Sequence, residues 1–318
     1  LHSGKILKVG AGTIVIGRSS KCDLSLKGSP GVSRRHTKVQ LVDGRYVVLD
    51  LESRNGTLVN GKQVVVYKSG RTAPGQGGVM GHTASIAGGL TLFESVVRHA
   101  GAIVAEDFNS FDDLFYIAGV LQGKKIGGRR IGAISGAGFE AVGMADSIES
   151  DSFALEMGAL EDATVKKVEE ILVAKKLDQL VEVRNPIDIN PGADDEAHLQ
   201  VSEAFLQDPN IDAVVVGLDP TAPSVRALVE SKLRPGHDIS DPKSTVHLMP
   251  PIVERNDKPL IGIVDGGTLY DAMAAGLMDR GVCIFRNCAR GTKALVRYVE
   301  ARQNADYLKH RRPGGTDF

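Results

Sequence analysis

His82 sits in Gly81-His82-Thr83-Ala84-Ser85-Ile86-Ala87-Gly88-Gly89, one imidazole in a run of glycines and small residues. Nothing bulky flanks the ring, so another chain or a nucleotide can approach it closely. Imidazole is a fair nucleophile near neutral pH and can carry a phosphoryl group as a covalent intermediate. A second stretch suited to phosphate is Ser135-Gly136-Ala137-Gly138-Phe139-Glu140-Ala141. It reads as a strand-to-helix turn, in which the backbone N–H groups of Gly136, Ala137 and Gly138 cradle an anion at the positive end of a helix. Every doubly wound fold has such a turn, so this signal alone identifies nothing. A third set lies in three loops near the N-terminus: Gly17-Arg18, Ser33-Arg34-Arg35-His36 and Ser53-Arg54-Asn55-Gly56-Thr57. Arg18 offers a guanidinium fork for a dianionic phosphate, Ser33 a hydroxyl and Arg34 a second cation. The Asn55 amide can hold a peptide backbone. Gly17, Gly56 and Gly61 read as turn glycines and Arg35 as a solvated surface charge.

Those loops must be held by strands. Thr13 to Ile16 is a short apolar strand ending at Gly17. Thr37 to Val42 and Arg45 to Leu51 flank Asp43-Gly44, a hairpin signal because both turn positions tolerate positive φ. Asn60-Gly61 marks a second hairpin, between Thr57-Leu58-Val59 and Lys62 onward. Short strands joined by tight turns predict an antiparallel β-sandwich over residues 1–66, truncated at its C-terminal edge.

The remainder alternates between strands and helices. Val64 to Tyr67 is a strand, and Ser69 to Gly89 is the Gly-rich loop that carries His82. Phe93, Val96, Val97 and Ala100 recur at helical spacing. Ala102 to Val104 is a strand, and Ser110 with Asp113 starts a helix over Phe111 to Leu121 in the manner of a capping box. Gln122 to Arg130 reads as a linker. Beyond it, Arg130 to Ser135, Asp212 to Gly217, Pro259 to Asp265 and Val282 to Phe285 are continuously apolar, as buried parallel strands are. Helices are expected at Phe139–Glu149, Thr164–Lys175, Asp195–Gln207, Ser224–Lys232, Thr268–Arg280 and Ala289–Arg302. This alternation predicts an α/β doubly wound, flavodoxin-like domain over residues 130–306, with residues 67–125 as a smaller α/β piece and 307–318 as a disordered tail.

Composition narrows the classes. The chain has 318 residues, enough for two or three domains, with 38 Lys+Arg against 39 Asp+Glu and a formal net charge of -1. That balance supports neither a nucleic-acid partner nor a polybasic membrane contact. No apolar run reaches the length of a membrane span and no signal peptide is visible. Cys22, Cys283 and Cys288 are odd in number and lack metal-type spacing, so they read as cytosolic thiols in a cytoplasmic protein, with no metal site expected. His99, His198, His237 and His247 lack partners at recognisable spacing and are expected to be solvated or packed. The chain begins at Leu1 and is read as a fragment or processed product.

Two families resemble these patterns. The three N-terminal loops, in that order and spacing together with Asn60-Gly61, resemble a forkhead-associated (FHA) domain. The resemblance implies recognition of phosphothreonine peptides by Arg18, Ser33, Arg34 and Asn55, with His36 bracing the loops. Gly81-His82-Thr83-Ala84-Ser85-Ile86-Ala87-Gly88, preceded by Val64-Val65-Val66-Tyr67-Lys68-Ser69-Gly70-Arg71-Thr72-Ala73-Pro74-Gly75-Gln76, resembles the phosphohistidine loop of the nucleoside-diphosphate-forming acyl-CoA synthetases, the superfamily of succinyl-CoA ligase. The likeness continues to about Gln303. By that resemblance an acyl phosphate phosphorylates His82, which then phosphorylates ADP, while Gly136, Ala137 and Gly138 at the start of the so-called power helix stabilise the phosphoryl charge. Asn185-Pro186-Ile187-Asp188 resembles a further family motif, and a capped turn accounts for it equally well.

The resemblance also implies CoA, ADP or ATP and Mg, none expected to be held stably here. The family's CoA-binding Rossmann domain, its ATP-grasp domain and the carboxylate that steadies the histidine have no counterpart in this sequence. A partner chain carrying the first two is therefore expected for catalysis, with His82 on a solvent-facing loop. The alternative is a phosphothreonine-reading module on a catalytically inert α/β body. At the junction, Val64 to Tyr67 is asked to complete two sheets at once. Its Asn60-Gly61 turn favours the hairpin, because the shorter loop costs less to close.

Overall fold

The computed structural model describes residues 13–26, 34–35, 37–42, 45–50, 64–75, 90–99 and 102–310. The chain divides into two compact units, one of Leu1–Phe115 with Glu300–Phe318 and one of Tyr116–Val299.

In the first unit, β1 (Thr13–Gly17), β2 (Leu24–Ser25), β3 (Thr37–Val42) and β4 (Arg45–Asp50) form a mixed sheet of order β2-β1-β3-β4. β3 and β4 pair antiparallel with Val42 opposite Arg45, the register expected of a hairpin through Asp43-Gly44. β1 is antiparallel to β3 and parallel to β2. The described residues thus form one small mixed sheet; the second hairpin, at Thr57 to Lys62, lies outside them.

The contested strand goes to the α/β side. β5 (Val65–Tyr67) runs parallel to β6 (Ile103–Ala105), with helix α1 (Leu90–His99) between them in sequence. The pairing shows that Val65–Tyr67 joins a parallel sheet with β6, and the expected Asn60-Gly61 turn lies outside the described residues. Closing the longer connection costs only roughly 2 kcal/mol more than a tight turn, whereas burying one apolar side chain is worth about 1.5–3 kcal/mol. Ile103, Val104 and Ala105 are all buried. Tyr67 also stacks 4.6 Å from Phe108, Lys68 Nζ lies 5.5 Å from the centre of the Phe93 ring, and Arg71 pairs with Glu94 at 2.8 Å. Helix α2 (Phe108–Val120) then starts three residues earlier than expected. Its cap is Asp107 rather than Ser110: Asp107 Oδ1 accepts from Ser110 N–H, and Ser110 Oγ accepts from Asp107 N–H.

The second unit is built on an all-parallel sheet. Its strands are β7 (Arg130–Ser135), β8 (Glu156–Met157), β9 (Ile187–Asp188), β10 (Ala213–Gly217), β11 (Leu260–Ile263) and β12 (Cys283–Phe285). The order is β12-β11-β10-β7-β8, with β9 also on β7. β8 and β9 occupy the same side of β7, at its two ends, so they act as one interrupted edge strand. The order is therefore that of a flavodoxin-like sheet. Asn185 fills the interruption. Its side-chain amide donates to the Ile131 and Gly158 carbonyls at 2.8 and 2.9 Å and accepts from Ala133 N–H at 3.0 Å, as a strand peptide would.

The helices of this unit are α3 (Gly138–Ala145), α4 (Asp162–Lys175), α5 (Asp195–Gln207), α6 (Thr245–Arg255), α7 (Asp271–Met278) and α8 (Cys288–His310). α8 continues to His310, into the stretch expected to be disordered. The helix expected at Ser224–Lys232 is absent. The segment is instead an irregular run of turns and bends, with Val225 and Ala227 buried on either side of Arg226. Arg226 turns back to Asp195 at 3.0 Å and Asp241 at 2.7 Å. α6 is a helix that the sequence analysis did not expect, and Pro250 and Pro251 lie inside it. Val246, Met249, Ile252 and Val253 bury one face of it, and Asp195 Oδ1 caps its start by accepting from Thr245 N–H and Oγ1–H at 2.8 and 2.7 Å.

If the Asn185 amide completes the ladder, Asn185→Ala leaves a strand N–H and a carbonyl without partners. We expect a loss of about 1–3 kcal/mol in urea denaturation, together with faster amide exchange at Ala133 than at Val215.

Candidate functional site

In an open parallel sheet the crevice lies beyond the carboxyl ends of the strands, where the order reverses. Here that point is between β7 and β10. The register places Ser135 opposite Gly217, so both strands end at the same level. Ser135 leads into Gly136-Ala137-Gly138 and helix α3, whose N-cap is Ala137. Ser135 Oγ accepts from Ala137 N–H at 3.0 Å and donates to Glu140 Oε2 at 2.6 Å. One N–H of the expected cradle is therefore already engaged by the chain's own hydroxyl.

Close approach explains the glycines. A Cβ on Gly217 would fall 1.7 Å from Glu140 Oε2, so only glycine at the end of β10 leaves room for that carboxyl. A Cβ on Gly138 would stand 2.6 Å from Asp188 Oδ2. A Cβ on Gly136 would meet His198 Nε2 at 3.0 Å and Asp219 Oδ2 at 3.1 Å. Asp219 itself holds a left-handed backbone, with φ of 37°, and its Oδ1 accepts from Thr221 Oγ1–H at 2.7 Å. Strain of this kind collects at functional sites. The motif Asn185-Pro186-Ile187-Asp188 thus has two parts: Asn185 completes the sheet and Asp188 lines the crevice beside Gly138.

The crevice is acidic. Burial, with smaller contributions from Asp265 and Asp219, pushes the Glu140 carboxyl up to about 7, although its bond from Ser135 works the other way. Burial holds the His198 imidazole neutral. Its Nδ1 is 3.0 Å from the Asp194 carbonyl and so carries the proton, which leaves Nε2 a buried lone pair with no partner among the described residues. The magnitudes decide what such a crevice accepts. A helix N-terminus favours an anion by about 0.3–2 kcal/mol. One carboxylate at ~6 Å repels a unit negative charge by roughly 3 kcal/mol at an effective dielectric constant of 20. A bare phosphate at Gly136–Gly138 would therefore need a cation beside it.

Of the site residues singled out from sequence, Gly136, Ala137 and Gly138 lie together at this helix end. Arg18 and Arg34 are brought together in the other unit: Ser19 N–H donates to the Arg34 carbonyl at 2.9 Å, and a Cβ on Gly17 would stand 2.4 Å from that oxygen. Cys22 Sγ also approaches it, at 3.1 Å. Both arginines are exposed. His82, Ser33 and Asn55 lie outside the described residues. Glu140, Asp188, His198, Asp219 and Asp265 were not singled out as site residues. Glu140 and His198 sit on helices α3 and α5, Asp188 ends β9, and Asp219 and Asp265 follow β10 and β11; Glu140 and Asp188 lie in stretches the sequence marked, but only the strand order gathers all five.

Residues 14–75 match the model of the FHA domain, and residues 55–120 match that of the succinyl-CoA ligase like flavodoxin domain. The subunit alpha of the ADP-forming acetate–CoA ligase II of Pyrococcus furiosus is 28% identical over 154 residues, which are 48% of this chain and 32% of that protein. The ADP-forming acetate–CoA ligase II of Archaeoglobus fulgidus is 32% identical over 160 residues, 48% of this chain and 22% of that protein. The chain thus spans a third or less of these relatives. Among solved structures, the dinucleotide forming acetyl-coenzyme A synthetase 1 of Ca. Korarchaeum cryptofilum, in complex with phosphate and ADP, aligns with a TM-score of 0.60 at 20% identity, covering 77% of this chain and 48% of that one. That likeness establishes the α/β fold.

The Glu140 carboxyl titrates in the folded chain near 7 against an ordinary value of 4.5. The folded state thus keeps a proton that the unfolded state releases. The associated stability is complete below 4.5 and is lost as the pH rises through 7. In chelator-containing buffer we expect Glu140→Gln to be more stable than the parent by about 3 kcal/mol at pH 8 relative to pH 4, read from urea denaturation at each pH. Parallel pH profiles for the two proteins would refute the assignment.

Proposed function

We propose that the chain carries part of a nucleoside-diphosphate-forming acyl-CoA ligase, with His82 as its phosphohistidine, joined to an FHA module that reads phosphothreonine. The observation that carries the first half is the relationship of about half the chain to ADP-forming acetate–CoA ligases. It is supported by the parallel pairing of β5 with β6. In sequence the His82 stretch falls between β5 and α1, a strand-to-helix connection of the kind that carries function. His82 attacks the phosphorus of an acyl phosphate, and the carboxylic acid leaves. The phosphoryl group then passes to ADP. Gly136, Ala137 and Gly138 stabilise its charge through the helix dipole and the N–H groups left free once Ser135 Oγ has engaged that of Ala137, with a cation beside them. CoA, the nucleotide and Mg are handled by an ATP-grasp and a CoA-binding partner.

Incubation with ATP and such a partner is expected to leave acid-labile phosphate on His82, lost in His82→Ala. Partner-dependent turnover with no label on His82 would overturn this reading.

The second half is favoured by the contact between the Gly17–Ser19 and Arg34 loops, which brings two exposed guanidinium-bearing residues together. In this reading residues 1–66 belong to a β-sandwich, and Ser33 and Asn55 complete the phosphopeptide site. Arg18→Ala is expected to weaken phosphothreonine-peptide binding by ~1.5–3 kcal/mol. Calorimetry that finds equal affinity for phosphorylated and unphosphorylated peptide in the parent chain would exclude it. If the peptide binds while His82 is never labelled, the chain is a phosphopeptide-binding protein with an inert α/β body.

A further inference from the structure

We propose that Glu140, Asp265 and Cys288 form a binding site for a thiophilic divalent cation of the zinc class at the carboxyl end of the parallel sheet. One ligand atom from each, two carboxylate oxygens and a sulfur, lie within 4.8 Å of one another. Ligand atoms at 2.0–2.3 Å from a zinc ion stand roughly 3–4 Å apart in a tetrahedron, so a small side-chain adjustment closes the set. Three separate elements supply it: Glu140 from the first turn of α3, Asp265 from just beyond β11, and Cys288 as the first residue of α8.

Each donor is held in place by its neighbours. Glu140 is fixed by Ser135 Oγ–H and by the missing Cβ of Gly217. Cys288 packs against α3 where Gly143 has no side chain; a Cβ there would stand 3.1 Å from Sγ. Arg286 ties down the turn after Asp265 by donating to the Gly266 and Gly267 carbonyls at 2.8 and 2.9 Å. Its own carboxylate partner is Asp271, not Asp265.

Two further observations point to a cation. Among the described residues no Lys or Arg forms an ion pair with Glu140, Asp219 or Asp265. Converging carboxylates are therefore left without a counter-charge, and two of them are buried. Independently, His198 is 1% exposed and its Nε2 lone pair has no partner among the described residues. It faces the Gly136 turn and Asp219, the carboxylate next along the crevice from Glu140. A lone pair so placed can accept a hydrogen bond from water on a bound ion, a common outer-shell role. The sulfur selects the class of ion, since thiolate favours zinc-like ions over magnesium. On binding, the ion displaces the Cys288 thiol proton and any proton on Glu140 to solvent, and no oxidation or reduction occurs. The site requires neither phosphorylation of His82 nor peptide binding by the FHA module.

The full chain, stripped with chelator, is titrated with Zn²⁺ by calorimetry and with Co²⁺ by absorption. The expected result is a single saturable site and a thiolate-to-Co²⁺ charge-transfer band. Cys288→Ser should abolish the band, and Asp265→Asn should weaken affinity at least tenfold, while Cys22→Ser leaves both unchanged. Absence of saturable binding, or a band that survives in Cys288→Ser, overturns the proposal. Should Cys288→Ser fail to fold by circular dichroism, the more exposed Asp265 decides: unchanged affinity in Asp265→Asn overturns it equally.

Discussion

The parallel ladder between β7 and β10 is the constraint on which the α/β unit depends. Its register sets Ala213 to Gly217 beside Ile131 to Ser135, one residue for one. The two strands therefore finish together, and Gly217 offers its vacant side to the Glu140 carboxyl. A slip of one residue would bring Val216 to that position and turn every buried valine of β10 to the opposite face. The ladder thus fixes both the core and the floor of the crevice. Asn185 and Asp195 extend its reach. The first bridges the interrupted edge strand through its side-chain amide, and the second ties the irregular segment at Arg226 to the start of α6.

Around this frame the chain gathers groups that do not favour stability. Glu140 is buried beside other carboxylates, and its only hydrogen bond in the described structure comes from Ser135. Asp219 sits in a left-handed backbone conformation, and His198 keeps a buried lone pair unsatisfied. Each would be more stable replaced by an apolar or uncharged residue. Their convergence at the topological switch point, rather than at scattered positions, is the physical reason to read that crevice as a functional site. The same acidity sets a condition on phosphate chemistry there. The dipole of α3 alone is weaker than the repulsion from its acidic neighbours, so an anion and a cation must enter together.

Much of the α/β frame was legible in the sequence. Arg130–Ser135 and Asp195–Gln207 match their expected bounds, the first because a buried strand is continuously apolar, the second because Asp194 caps a periodic run. Other segments failed for identifiable reasons. Helix α6 was not expected; it holds Pro250 and Pro251, whose local cost its buried face outweighs. Ser224–Lys232 suggested a helix, but the segment follows an irregular course in which Arg226 pairs with Asp195 and Asp241. At the junction Val65–Tyr67 pairs with the buried strand Ile103–Ala105, and the Asn60-Gly61 turn lies outside the described residues. The crevice was only half legible. Gly136–Gly138 stood out as a local pattern. Asp219, Asp265 and Cys288 did not, because they converge only once the strand order is known.

The central claim is that the end of the sheet holds a buried acidic crevice with Glu140 at its heart, and the most direct measurement is the titration of that carboxyl. Carbon-13 spectra of the chelator-treated chain labelled at glutamate side chains, with the resonance assigned by its absence in Glu140→Gln, report the midpoint. The account predicts a midpoint near the value of about 7 to which burial pushes this group. A midpoint at the ordinary value of 4.5 would mean that the carboxyl faces water and that no such crevice exists.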